Sequence, residues 1–172
     1  MNKSVRLILA LWAALFAFAF VAQPSSAVAA TVAAPTGTCS AGFTIATTSP
    51  GTVSMYGPLM VVRDSGVGGA FTSGFLAGYT FTGEQDYTIN TSTNKAYLIG
   101  TFTATGPGGT ITLPYVVKAD MVTGAGSGYF ASTSGTGEFA NYLWAGELTA
   151  QIVNPNPTTF VVNATGNCEY TS

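Results

Sequence analysis

The residues that could do chemistry in this chain are few, and the most versatile of them is missing: there is no histidine. A Ser-His-Asp or Cys-His nucleophile cannot be assembled. Histidine-based zinc sites are excluded, and two cysteines cannot build a thiolate cage, so no metal and no cofactor is expected. Paired carboxylates can hydrolyse glycosides or ligate calcium. Glu84 and Asp86 are close in sequence, but they fall in Gly83-Glu84-Gln85-Asp86, a stretch that reads as a loop of solvated acids with no further oxygen ligands clustered nearby. Lys118 and Asp120 share the polar face of one strand and read as a solvent-side pair. Gly124-Ala125-Gly126-Ser127-Gly128 lacks the lysine and the following helix of a phosphate loop.

What remains is aromatic. The apolar rows of the strands carry no charge, and their polar handles are the hydroxyls of Tyr79, Tyr115 and Tyr142 and the indole N–H of Trp144. With Phe75 and Phe102, these are the candidate lining of an interior that would take a small apolar molecule. Large rings beside Gly100, Ala77, Gly146 and Ala164 either interlock as a filled core or leave a pocket. No residue is assigned a catalytic role, and the enzyme reading leans to no.

Alternating strands must position these rings. The clearest is the row Tyr142, Trp144, Gly146, Leu148, Ala150, Ile152, against Leu143, Ala145, Glu147, Thr149 and Gln151. Its period is that of a half-buried strand. The same pattern puts strands over 42–48, over 52–63 with a break at Gly57-Pro58, and over 71–81, where Phe71, Phe75, Tyr79 and Phe81 share a face. Further strands follow over 87–89, 96–102, 111–121, 129–133 and 160–164. Turns are expected at 49–51, 64–69, 83–86, 90–94, 106–109, 123–128 and 154–157, each rich in Gly, Pro, Asn or Asp. Outside the leader no window has helical periodicity with caps. About eight strands joined by short connections predict an all-β antiparallel meander closed into a barrel, with a β-sandwich as the alternative. Closure is favoured because it removes both sheet edges.

Residues 1–30 have the layout of a signal peptide. Lys3 and Arg6 precede an apolar run over 7–21, and small residues follow Gln23-Pro24. A short leader over 31–38 would be flexible, and a single barrel domain would occupy 39–172. The run is short for a membrane span, so the expectation is a secreted protein, or a periplasmic or cell-surface one, with no membrane part after cleavage. Two cysteines, Cys39 and Cys168, near the two ends of an exported domain predict a disulfide between the first strand and the last. Beyond the leader the cations are Arg63, Lys95 and Lys118, against 7 carboxylates. No cationic patch for nucleic acid can be built from them. Asn90-Thr91-Ser92 and Asn163-Ala164-Thr165 match the glycosylation pattern, which matters only in a host with that machinery.

The turn Gly135-Thr136-Gly137-Glu138-Phe139-Ala140, followed by a strand bearing Gly and Leu, resembles the allene oxide cyclase and dirigent type of eight-stranded barrel. Residues 97–109, YLIGTFTATGPGG, are similar to the middle strands of such barrels. The resemblance implies a barrel with an apolar cavity. It favours a cyclase or isomerase acting through cavity shape if the chain is an enzyme, and it transfers no catalytic residue. Three readings follow. The first is a secreted barrel that binds a small apolar ligand, the second a cyclase-type enzyme using the same cavity, and the third a structural or surface module with a filled core.

Overall fold

A computed structural model describes residues 33–155 and 158–171. The signal peptide expected over 1–30, the start of the leader and part of the 154–157 turn lie outside the described residues. The described chain forms β1 (Gly37–Ser49), β2 (Thr52–Tyr56), β3 (Leu59–Gly74), β4 (Thr80–Asn90), β5 (Lys95–Gly106) and β6 (Gly109–Asp120). It continues with β7 (Ala125–Ala131), β8 (Ser134–Gly135), a 3-10 turn (Gly137–Phe139), β9 (Tyr142–Pro155) and β10 (Thr158–Tyr170).

All pairings are antiparallel, in the order β1-β10-β9-β7-β6-β5-β4-β3, and β1 pairs again with β3 to close the ring. The result is the expected barrel, of 8 strands with two more outside the ring. β2 continues the line of β1 along β3, and β8 is a short addition to β6. The inward rows of β5, β6, β9 and β10 are the ones the alternation picks out, including Phe102, Leu113, Trp144 and Val162.

The chain between residues 50 and 90 differs from the sequence reading. Gly57-Pro58 is the two-residue tip of the β2–β3 hairpin rather than a break within one strand, with Tyr56 opposite Leu59. The glycine-rich stretch read as a turn over 64–69 lies inside β3. Its glycines serve close approach: a Cβ on Gly69 would sit 1.8 Å from the Thr44 carbonyl oxygen across the closing β1–β3 seam. The strand read over 71–81 reverses in the middle, at residues 75–79, where Gly74 and Gly78 take φ of 78° and 89°. The loop read at 83–86 is the centre of β4.

The antiparallel register sends the two ends of the barrel in different directions. One end gathers residues 75–79, the β5–β6 hairpin, the 3-10 turn and the start of β1. The other gathers the β2–β3 tip, the β4–β5 and β6–β7 turns, and the junction of β9 with β10. Between them lies a layer of phenylalanines. Phe43 packs on Phe71, Phe81 and Phe102 with ring centroids 4.8, 5.5 and 5.6 Å away, and Phe81 lies 4.6 Å from Phe102.

Candidate functional site

The first end is shut. Leu76 and Phe139 are fully buried beneath it. Phe75 packs edge-on to Trp144 at 4.8 Å, and Trp144 lies 4.4 Å from Phe130. Hydroxyls fasten the lid. Tyr79 donates to Glu138 Oε1 at 2.8 Å and accepts the Gly108 N–H at 2.8 Å. Tyr142 donates to the Pro35 carbonyl at 2.5 Å. Tyr170 donates to the Glu138 carbonyl at 3.0 Å and accepts the Ala34 N–H at 3.1 Å. The Gly-Thr-Gly-Glu-Phe stretch is part of this lid. Gly137 has φ of 64°, and a Cβ there would meet the Gly108 carbonyl oxygen at 2.1 Å. Behind it, Cys39 and Cys168 form a disulfide that ties β1 to β10. Four of the six ring candidates, Phe75, Tyr79, Tyr142 and Trp144, thus sit in the closed half. The Trp144 indole N–H is buried there without a hydrogen-bond partner.

The second end is open. An apolar cavity of about 50 Å³ lies below the phenylalanine layer, lined by Phe43, Val67, Leu98, Val117, Leu148 and Val162 among others. The other two ring candidates, Phe102 and Tyr115, line it. Its polar lining is Thr47 and a row that crosses the wall. Gln85, Gly100 and Tyr115 are register partners on β4, β5 and β6. Glycine in the middle makes room, since a Cβ there would lie 2.6 Å from the Tyr115 hydroxyl. Across that gap Tyr115 donates to Gln85 Oε1 at 3.0 Å. Both residues are buried and both line the cavity. The alternation of β4 would have found Gln85, but the sequence reading placed it in a loop. Toward solvent the cavity adjoins a shallow groove of about 690 Å³, with which it shares Ala119 and Gly126.

The charged pairs are structural. Asp86 is bound by the Arg63 guanidinium and by the Asp64 N–H at 3.0 Å, which marks the bulge where Asp64 takes φ of 55°. The Asp64 N–H first, and then Arg63, hold the Asp86 carboxyl below the usual range. Asp120 pairs with Lys95, its direct cross-strand neighbour, at 2.6 Å, and not with Lys118. That bond, with the N–H groups of Val122 and Thr123, also lowers its pKa. Among the described residues no group of three or more His, Cys, Asp or Glu is placed to hold a metal, and no helix is long and apolar enough to cross a membrane.

Burial raises the Tyr115 phenol. Burial first, then the nearby charges of Tyr170 and Glu138, push Tyr142 up to about 12. Tyr79 is raised by burial and by its bond to Glu138, against the lowering effect of Gly108. In the unfolded chain a tyrosine loses its proton near pH ~10. Between that pH and its folded pKa the native state holds a proton that the unfolded state has released, so stability falls as pH rises. The stabilisation from the three tyrosines is therefore complete below pH ~10 and falls as pH rises above that, for Tyr142 on the way to about 12. Urea midpoints followed into alkaline solution should drop in that window, and less steeply for Tyr142→Phe. A flat profile would contradict the burial of these hydroxyls.

Fold and site together define a small antiparallel barrel with one end fastened shut and the other open on an apolar cavity. No protein-family model matches the chain, and no curated protein matches it. It is similar in fold to the crystal structure of a protein of unknown function from the DUF3224 family of Shewanella oneidensis MR-1. That likeness has a TM-score of 0.53 at 15% identity and covers 77% of this chain and 98% of the other.

Proposed function

We propose that this protein is an exported β-barrel that binds a small apolar molecule at its open end. The observation that carries the reading is the apolar cavity whose wall holds few polar groups, Thr47 and the row Gln85-Gly100-Tyr115. Such a site takes an apolar body and orients it through a small number of hydrogen-bonding groups. At about 50 Å³ the cavity admits a narrow tip, since a benzene-sized guest needs a cavity of roughly 150 Å³. The remainder of the ligand would lie in the adjoining groove beside Leu59, Ala96 and Tyr97. Export is supported by the leader-like first 30 residues and by the disulfide, which persists in oxidising compartments. Binding ranks ahead of the cyclase-type chemistry suggested by the resemblance, because the raised Tyr115 phenol and a glutamine amide do not exchange protons near neutral pH.

Native mass spectrometry of the protein from its own host tests this. The expected result is a reproducible extra mass, released by organic solvent. Ala150→Phe places a ring in the cavity and should abolish that mass while leaving the melting temperature within a few degrees. A bare wild-type chain that also shows no thermal shift with short alkylbenzenes would sink the reading and favour a structural module. If the released compound is consumed on re-addition and Tyr115→Phe slows its loss, the site is an enzyme's.

A further inference from the structure

Among the described residues the exposed large apolar side chains include Tyr97, Ile99, Tyr129 and Val161, spread singly over the wall, and Tyr170 at the closed end; the others gather at one place. Val53, Met55, Tyr56 and Leu59 sit on the β2–β3 hairpin, Val122 on the β6–β7 turn and Val153 at the end of β9. Tyr56 is 66% exposed and Val122 75%. All six lie at the open end, around the mouth of the cavity. Backbone hydrogen bonds join the tips into a continuous rim: Thr91 N–H to the Pro58 carbonyl, Met121 N–H to Asn94 and Ile152 N–H to Gly124, each 2.8 Å. An ordered rim that displays large apolar groups is a contact surface.

Charge is segregated along the same axis. The cations among the described residues, Arg63, Lys95 and Lys118, are all in the half nearest the rim, where Asp64, Asp86 and Asp120 balance them. Glu84, Glu138, Glu147 and Glu169 lie on the wall or toward the closed end, none of them in an ion pair, although Glu147 shares a wall groove with Lys118. The open end is neutral with exposed lysines, and the remainder is acidic.

From this arrangement we infer that the rim of the open end docks on a phospholipid surface. The apolar tips enter the headgroup layer, Lys95 and Lys118 lie at phosphate depth, and the acidic end points away. A second copy of the chain is a poorer fit. The exposed groups project from separate turns around a ring, which leaves no flat face to match, whereas lipid headgroups part around projections without shape complementarity. The inference does not depend on what occupies the cavity, although docking would place the mouth against the lipid.

Flotation with phosphatidylcholine–phosphatidylglycerol vesicles tests it, on protein from its host with leader removal checked by intact mass. Wild type should float with the vesicles. Tyr56→Ser and Val122→Ser should each weaken partitioning about tenfold, because each forfeits the burial of one large apolar side chain. Tyr129→Ser removes an equally exposed ring from the barrel wall and should change nothing. Ala150→Phe should still float, which separates this inference from the ligand reading. Wild type that stays in solution, or rim and wall variants that lose equally, would overturn it. So would a dimer in light scattering that dissociates in the two rim variants, which would assign the rim to a second copy.

Discussion

Replacing both cysteines by serine lowers the melting temperature by about 10–20 °C. The bond joins residues 129 apart, close to the whole length of the barrel. In the chain-entropy view a loop of that size withholds about 5 kcal/mol of disorder from the unfolded chain, and each kcal/mol moves the midpoint of a domain this size by about 3 °C. The position of the bond adds to its effect. β1 is held on one side by β10 and on the other by β3, so the ring cannot close until the last strand arrives. Without the bond, that closure has to be made across the whole sequence each time the chain folds. Thermal unfolding of Cys39→Ser/Cys168→Ser beside wild type measures the difference. An unchanged midpoint, with both thiols shown free in the wild type, would remove the staple from the account.

Phe43→Ala should cost about 3–5 kcal/mol, a large part of the stability of a domain this size. Phe43 is 4% exposed and is the ring on which Phe71, Phe81 and Phe102 converge. It also belongs to β1, the strand that closes the barrel, so a void there loosens both seams. Urea unfolding at constant slope checks the value, and a loss below about 1 kcal/mol would mean that the phenylalanine layer is not a close-packed unit. The substitution has a second expected effect. Phe43 is part of the cavity wall, so its removal deepens the open pocket and should let in guests too broad for the wild type.

The barrel was legible in the sequence wherever alternation and turn chemistry agreed. From Lys95 to Asp120 the two strands and the Gly106-Pro107-Gly108-Gly109 hairpin can be read almost residue by residue. Between residues 57 and 90 they disagreed. Phe71 and Phe81 both point inward on adjacent strands, and the odd-numbered row runs through the reversal at 75–79 without a change of phase. Only the glycines at 74 and 78 mark it. The run Gly66, Gly68, Gly69 looks like a turn for the same reason that it lies in a seam. Glycine permits both reversal and close approach, and which applies is decided, at Gly69, by the Thr44 carbonyl on β1.

The candidate site was half legible. Period identifies Tyr79, Phe102, Tyr115, Tyr142 and Trp144 as inward, but it does not say toward which end of a barrel they lie, and that is what separates lid from cavity. Gln85 was hidden by the mistaken loop, and the pairing of Asp120 with Lys95 by the absence of a cross-strand register.

The pairing of Gly37 with Cys168 has a consequence for how the molecule can be held. Both termini of the described chain leave from the shut end. A partner, support or anchor fused ahead of Ala33 or beyond Thr171 would therefore hold the barrel like a cup by its base, its mouth clear. Fusions at either terminus should be equivalent in orientation, and joining the two through a short linker would free a new chain start at the open rim.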